Sequence, residues 1–181
     1  MAITVSTGLL ILRLVAGLTL AAHGVQKLFG WFGGSGIKGT LQMQGRMGLK
    51  PASLWAGMVI LGEFGGGLSL ALGFLAPLGA AAMIGAMFMA IAKAHWKNGF
   101  WNGKRGIEFP LQLLTIGVVL GIAGPGSYSL DALFGLAFPI VLFLILALAA
   151  LLVDIIGLFI SRGTVIAPAQ PAGVNPNTKA S

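Results

Sequence analysis

Five long apolar runs, at residues 8–29, 53–73, 76–95, 107–124 and 133–160, leave this chain few ways to fold. About 20 residues of helix, rising about 1.5 Å each, cross a hydrocarbon core of about 30 Å. Within hydrocarbon every backbone group must find its partner inside the protein, and unbroken apolar runs without alternation exclude a barrel. The expected fold class is therefore all-α: a polytopic transmembrane helix bundle of five spans. Composition agrees, with 57% hydrophobic and 8% charged residues and a mean hydropathy of +0.97, far from soluble domains.

The net charge of +7 would suggest nucleic acid in a soluble protein. Here it reads as membrane orientation, because the bases gather in two loops. The 30–51 loop carries Lys38, Arg46 and Lys50, and the loop after Ala94 carries Lys97, Lys104 and Arg105. Both loops are expected on the cytoplasmic side of the inner membrane, with the N-terminus outside and the C-terminus inside. The second and third spans form a hairpin, with Pro77 opening the third. The first span lacks a basic start and a small-residue cleavage site and contains Arg13 and His23, so it is expected to be retained. The fifth, 133–160, would be about 42 Å long and must tilt or protrude. Asp154, near its cytoplasmic end, is expected to be solvated by interface water or by Arg162. Residues 163–181, rich in Pro, Asn and Ala, are expected to be a disordered tail.

Charged and titratable groups inside such runs need partners, because burying one at bilayer depth costs about 2.5–3.5 kcal/mol even on insertion scales. Glu63 stands in an apolar run beside Gly65, Gly66 and Gly67. Counted from the cytoplasmic ends, His23 is about 9 Å deep, Glu63 about 15 Å deep, and His95 and Glu108 lie near the interface. Arg13 is expected to reach along the bundle axis and pair with Glu63. The competing reading of that pair is a lock on helix register. His23 and Lys27, four apart on one face, also suit a pair reaching for headgroups. His95 and Glu108 flank a loop whose Trp96, Phe100 and Trp101 suit an aromatic belt. Glycines at 62 and 66, and at 117 and 121, are spaced for close helix approach. The 30–51 loop alternates apolar and polar residues over 41–47 and suits a segment in the headgroup plane that roofs the bundle.

Two histidines and two acids are metal-ligand types, yet they lack the paired Glu-x-x-His spacing of di-iron bundles, so no metal is assigned. The chain contains no cysteine, which excludes thiolate chemistry, disulfides and thiolate-bound iron–sulfur clusters.

The string Leu12-Arg13-Leu14 followed by His23-Gly24-Val25-Gln26-Lys27-Leu28-Phe29-Gly30 resembles the first-helix motif of DoxX-type membrane proteins. Gly48-Leu49-Lys50-Pro51, Glu63 with Gly66 and Gly67, His95 with Gly99-Phe100, Glu108, and the 124–131 string GPGSYSLD extend the resemblance over about residues 8–132. It implies a four-helix membrane domain over 1–132 and says nothing of residues 133–181, where the apolar run itself predicts an additional transmembrane helix over 133–162. It also implies association with quinone-linked oxidoreductase systems. The residues themselves suit a quinone headgroup, which needs hydrogen-bond donors, a proton carrier and an apolar entrance. In that reading His23 and His95 contact the headgroup, Glu63 and Glu108 relay protons, and Arg13 keeps Glu63 ionised, with Lys27 as a further pocket candidate. The chain carries no nucleotide, flavin or haem-attachment motif, so no cofactor but quinone is expected and a partner must deliver electrons. The alternative is a non-enzymatic accessory or assembly subunit, held in a membrane complex or homo-oligomer by its glycine-rich faces and fifth helix. A small transporter is disfavoured, because no inverted repeat or pair of broken helices is evident.

Overall fold

In the computed structural model the described residues are 2–163, and they form helices and turns with no strand. The tail expected over 163–181 lies, from residue 164 on, outside them. The all-α membrane bundle is therefore the fold. Helix α1 spans Ala2–Phe29, α2 Gly36–Arg46, α3 Ala52–Leu72 and α4 Ala76–Asn98. Helix α5 spans Glu108–Ala123, α6 Leu130–Leu133 and α7 Ile140–Ile160. Among the described residues α1, α3, α4 and α7 are long and apolar enough to cross a membrane.

Two expected spans are shorter than their apolar runs. Helix α5 has 16 residues, about 24 Å, because Gly124 adopts φ +76 and Pro125 follows. The fifth run was expected to be one helix over 133–160, too long for the bilayer, but α7 begins only at Ile140. Gly135 takes a left-handed φ of +66 and Pro139 is extended at ψ 146. Both interrupt the helical backbone. The remaining 21 residues come to about 31 Å, which matches a bilayer core without extra tilt.

The α3–α4 hairpin forms as expected, with Pro77 in the first turn of α4. Gly73 ends α3 at φ +63, where its N–H donates to Leu70 at 3.0 Å and that of Phe74 donates to Ser69 at 2.9 Å. A left-handed glycine closing a helix in this way satisfies two orphan carbonyls.

Helix α4 is central and packs on α3, α5 and α7, while α1 packs on α3. Lipid offers no hydrophobic drive between helices, so close contact must hold the bundle. The α1–α3 seam supplies it. A Cβ on Gly17 would lie 2.5 Å from the Ala71 nitrogen, one on Gly67 2.4 Å from that of Ala21, and one on Gly24 2.4 Å from that of Phe64. Backbones therefore touch at three levels along the seam. The expected glycine steps are used unevenly. Gly66 meets Ala82, Gly117 meets Met83 and Ile84, and Gly121 faces the Phe143 ring, whereas Gly62 has open space before it.

Candidate functional site

Each antiparallel contact along the α1–α3 seam pairs residues whose numbers sum to 88, so Glu63 is level with Val25 and lies two residues, about 3 Å along the axis, from the level of Lys27. The two form a salt bridge with little side-chain exposure. Glu63 belongs to a π-helical turn, Leu61–Gly65. Such a turn inserts a residue into the helix and re-aims its side chains, and it recurs at functional sites.

The same register corrects the expected Arg13–Glu63 pair. Arg13 is twelve residues, about 18 Å, from the level of Glu63, beyond the reach of its side chain. Arg13 is buried instead at the opposite end, where its guanidinium donates to the backbone oxygens of Ala71 and Tyr128. Nearby, the Asp131 carboxylate accepts from the Leu75 nitrogen at 2.8 Å and the Ala76 nitrogen at 2.9 Å. Asp131 thereby caps α4 from α6, a role that local sequence does not advertise. Arg13 therefore cannot be what keeps Glu63 ionised.

The other predicted residues divide between two places. His23 is half-buried, 3.2 Å from the Gln26 side chain, with its ring 5.8 Å from that of Phe109. Gln26 in turn donates to the Phe32 carbonyl at 3.1 Å. His95 and Glu108 organise the loop between α4 and α5: His95 Nδ1 is 2.7 Å from the Arg105 carbonyl, and the Glu108 carboxylate accepts from the Asn102 nitrogen at 2.8 Å. The structure thus joins Lys27 to Glu63, while His95 and Glu108 each serve backbone groups of their own loop. Among the described residues no group of three His, Asp or Glu side chains gathers to hold a metal.

Among the described residues two buried side-chain atoms lack a hydrogen-bond partner, Arg13 Nε at the far turn and Oδ2 of Asp154. Asp154, expected in interface water or beside Arg162, is buried on the inner face of α7, and its Oδ2 has no hydrogen-bond partner. Arg162 lies over the Phe159 ring at 4.1 Å instead. Asp154 lines a cavity of about 280 Å³ whose walls come from α3, α4 and α7, and Gln44 of α2 adds an amide to its lining. Trp55 of α3 borders it too, packed where a Cβ on Gly157 would lie 2.3 Å from its ring. Gly62 contributes the open space noted above. Rim residues Met58 and Val153 are exposed, so the cavity opens toward lipid. An apolar, lipid-open cavity with an amide and an unpartnered carboxyl group suits a lipophilic ligand with a polar head. Sequence reasoning placed Asp154 in interface water and so missed it as a cavity residue, although an acid in an apolar run was the signal available. Gln44 carried only the signal of an amphipathic segment, and its burial fits the expected roof over the bundle.

Residues 8–96 match the sequence model of the DoxX family. The chain is also 36% identical over 106 residues to the inner membrane protein YqjF of Escherichia coli (strain K12), an overlap of 58% of this chain and 78% of that protein. No solved structure matches. Asp154, Glu108 and Asp131 lie beyond the family match, whereas Gln44, Trp55, Glu63 and Lys27 lie within it.

Proposed function

Because the chain belongs to the DoxX family of integral membrane proteins, we propose that it is an inner-membrane subunit of an oxidoreductase system that receives a quinone headgroup. The headgroup would enter the cavity bordered by Gln44, Trp55 and Asp154 rather than the layer expected from sequence. The unpartnered Oδ2 of Asp154 carries this reading. A buried carboxyl group without a partner is costly, and a ligand that hydrogen-bonds it would remove that cost. In its protonated form Asp154 can donate to one quinone oxygen, and the Gln44 amide can donate to a quinone oxygen. Trp55 offers a flat apolar wall. Reduction of the quinone takes two electrons and two protons. Asp154 can pass one proton, while the second proton comes from water and both electrons from a redox partner protein.

The experiment is extraction of bound lipids from protein purified in mild detergent, followed by titration with a short-chain quinone. The wild-type protein should retain or bind quinone, and Asp154→Asn and Gln44→Leu should each weaken binding about tenfold or more. Equal binding in all three proteins, or none in the wild type, would sink the proposal.

A second reading, a non-enzymatic accessory or assembly subunit, is favoured by the internal use of Lys27, Glu63, Arg13 and Asp131 as structural contacts. Copurification with a larger complex whose turnover survives Asp154→Asn would support it.

A further inference from the structure

On the other face of α2 from Gln44 is a second cavity, of about 390 Å³, which Arg46 and Lys93 line together with Ser35, Gln42, Met43 and Met47. Lys93 Nζ donates to the Met47 carbonyl at 3.0 Å and to the Ser161 hydroxyl, tying the end of α2 to the end of α7. Arg46 is exposed in the last turn of α2. Neither cation meets an acidic side chain. The chain has four acids in all, and each is placed elsewhere. Glu63 pairs with Lys27, Glu108 serves Asn102, Asp131 caps α4, and Asp154 lines the first cavity.

Two cations border one cavity, and no negative side chain is available to compensate them, so the cavity is open to an anion from outside. We propose that this cavity binds a phosphate group, carried by an anionic phospholipid headgroup at the membrane surface or by free phosphate. The donors fit that chemistry. The Arg46 guanidinium offers a planar fork matched to phosphate oxygens, and the Lys93 ammonium is held in place with one N–H still to give. Gln42 and Ser35 add neutral donors. Met43 and Met47 form an apolar wall against which the glycerol and first methylenes of a lipid can lie. Lys93 is five residues from the end of α4, about 8 Å along the axis, a distance its long side chain can span toward the headgroups. Occupation would brace the roof helix that also carries Gln44, although the proposal does not depend on what fills the first cavity.

Every basic residue near a membrane surface attracts anionic lipid to some degree, so the test must separate a built site from diffuse attraction. The full chain would be placed in nanodiscs of phosphatidylcholine with a minor fraction of phosphatidylglycerol, and lipid retention read by native mass spectrometry after release. Wild type should retain phosphatidylglycerol selectively. Arg46→Gln, which removes none of the fold's own hydrogen bonds, should weaken retention about tenfold, and Lys50→Gln or Lys38→Gln, outside the cavity, only about twofold. A rise in Tm with inorganic phosphate alone, lost in Arg46→Gln, would assign the site to free phosphate. Equal losses in Arg46→Gln and Lys50→Gln, or equal retention of the two lipids by wild type with no response to phosphate, would overturn the proposal.

Discussion

Arg13 and Asp131 grip the α3–α4 turn from its two sides: the guanidinium binds the Ala71 carbonyl at the end of α3, and the carboxylate binds the Leu75 and Ala76 amides at the start of α4. Each satisfies backbone groups that a helix end leaves orphaned, and their opposite charges attract across the turn. Asp131→Ala should therefore destabilise the protein by about 3–5 kcal/mol, since it strips the cap and leaves Arg13 buried without a counter-charge. Thermal unfolding in detergent would measure this. In a double-mutant cycle with Arg13→Met the two losses should fall short of additivity by about 1 kcal/mol or more. Strict additivity would mean that the two residues act independently.

Lys27 and Glu63 should behave as a buried pair. Lys27→Met or Glu63→Gln alone should cost about 3 kcal/mol, because each leaves an uncompensated group in the membrane. The combined Lys27→Met/Glu63→Leu protein should recover most of that loss. Chemical denaturation of the three variants decides the matter, and a double variant no better than the worse single one would contradict it.

Close backbone approach makes a sharp distinction between two neighbouring glycines. Gly67→Ala places a methyl group 2.4 Å from the Ala21 nitrogen and should prevent the α1–α3 seam from closing. Gly62→Ala, with open space before it, should be neutral or stabilising by up to about 1 kcal/mol. Expression level and Tm compared side by side would show it, and similar Tm values for the two would contradict the seam geometry.

Larger residues at Gly62 test the first cavity without removing a polar group. Gly62 lines that cavity and the neighbouring one beside Leu61 and Gly65, with open space before it, so Gly62→Leu should weaken quinone binding while changing stability by less than about 1.5 kcal/mol. Retained binding with an intact fold would show that the ligand goes elsewhere.

Much of this architecture was legible because membrane segments announce themselves by length and apolarity. The α3–α4 hairpin could be read from Gly73 and Pro77. Asp154 was expected in interface water, whereas Glu63 stood out as an acid in an apolar run. Its partner did not. The expected Arg13–Glu63 pair failed because the seam register sets the two residues about 18 Å apart along the axis, more than a side chain's reach. The layer of His23, Glu63, His95 and Glu108 was inferred from depth alone, which ignores the direction each side chain takes around its helix.

The sequence by itself determined the membrane class, the helical bundle and the family, because hydrocarbon permits only satisfied backbones and because the motifs of the first 96 residues match a family model. Tertiary structure decided which charges are spent on the fold and which remain. The Gly17, Gly67 and Gly24 contacts set one register, that register gave Glu63 to Lys27 and Arg13 to the far turn, and packing of α7 on α4 left Asp154 facing a cavity. Those outcomes depend on distances of a few ångströms between helices far apart in the chain, which no local pattern encodes.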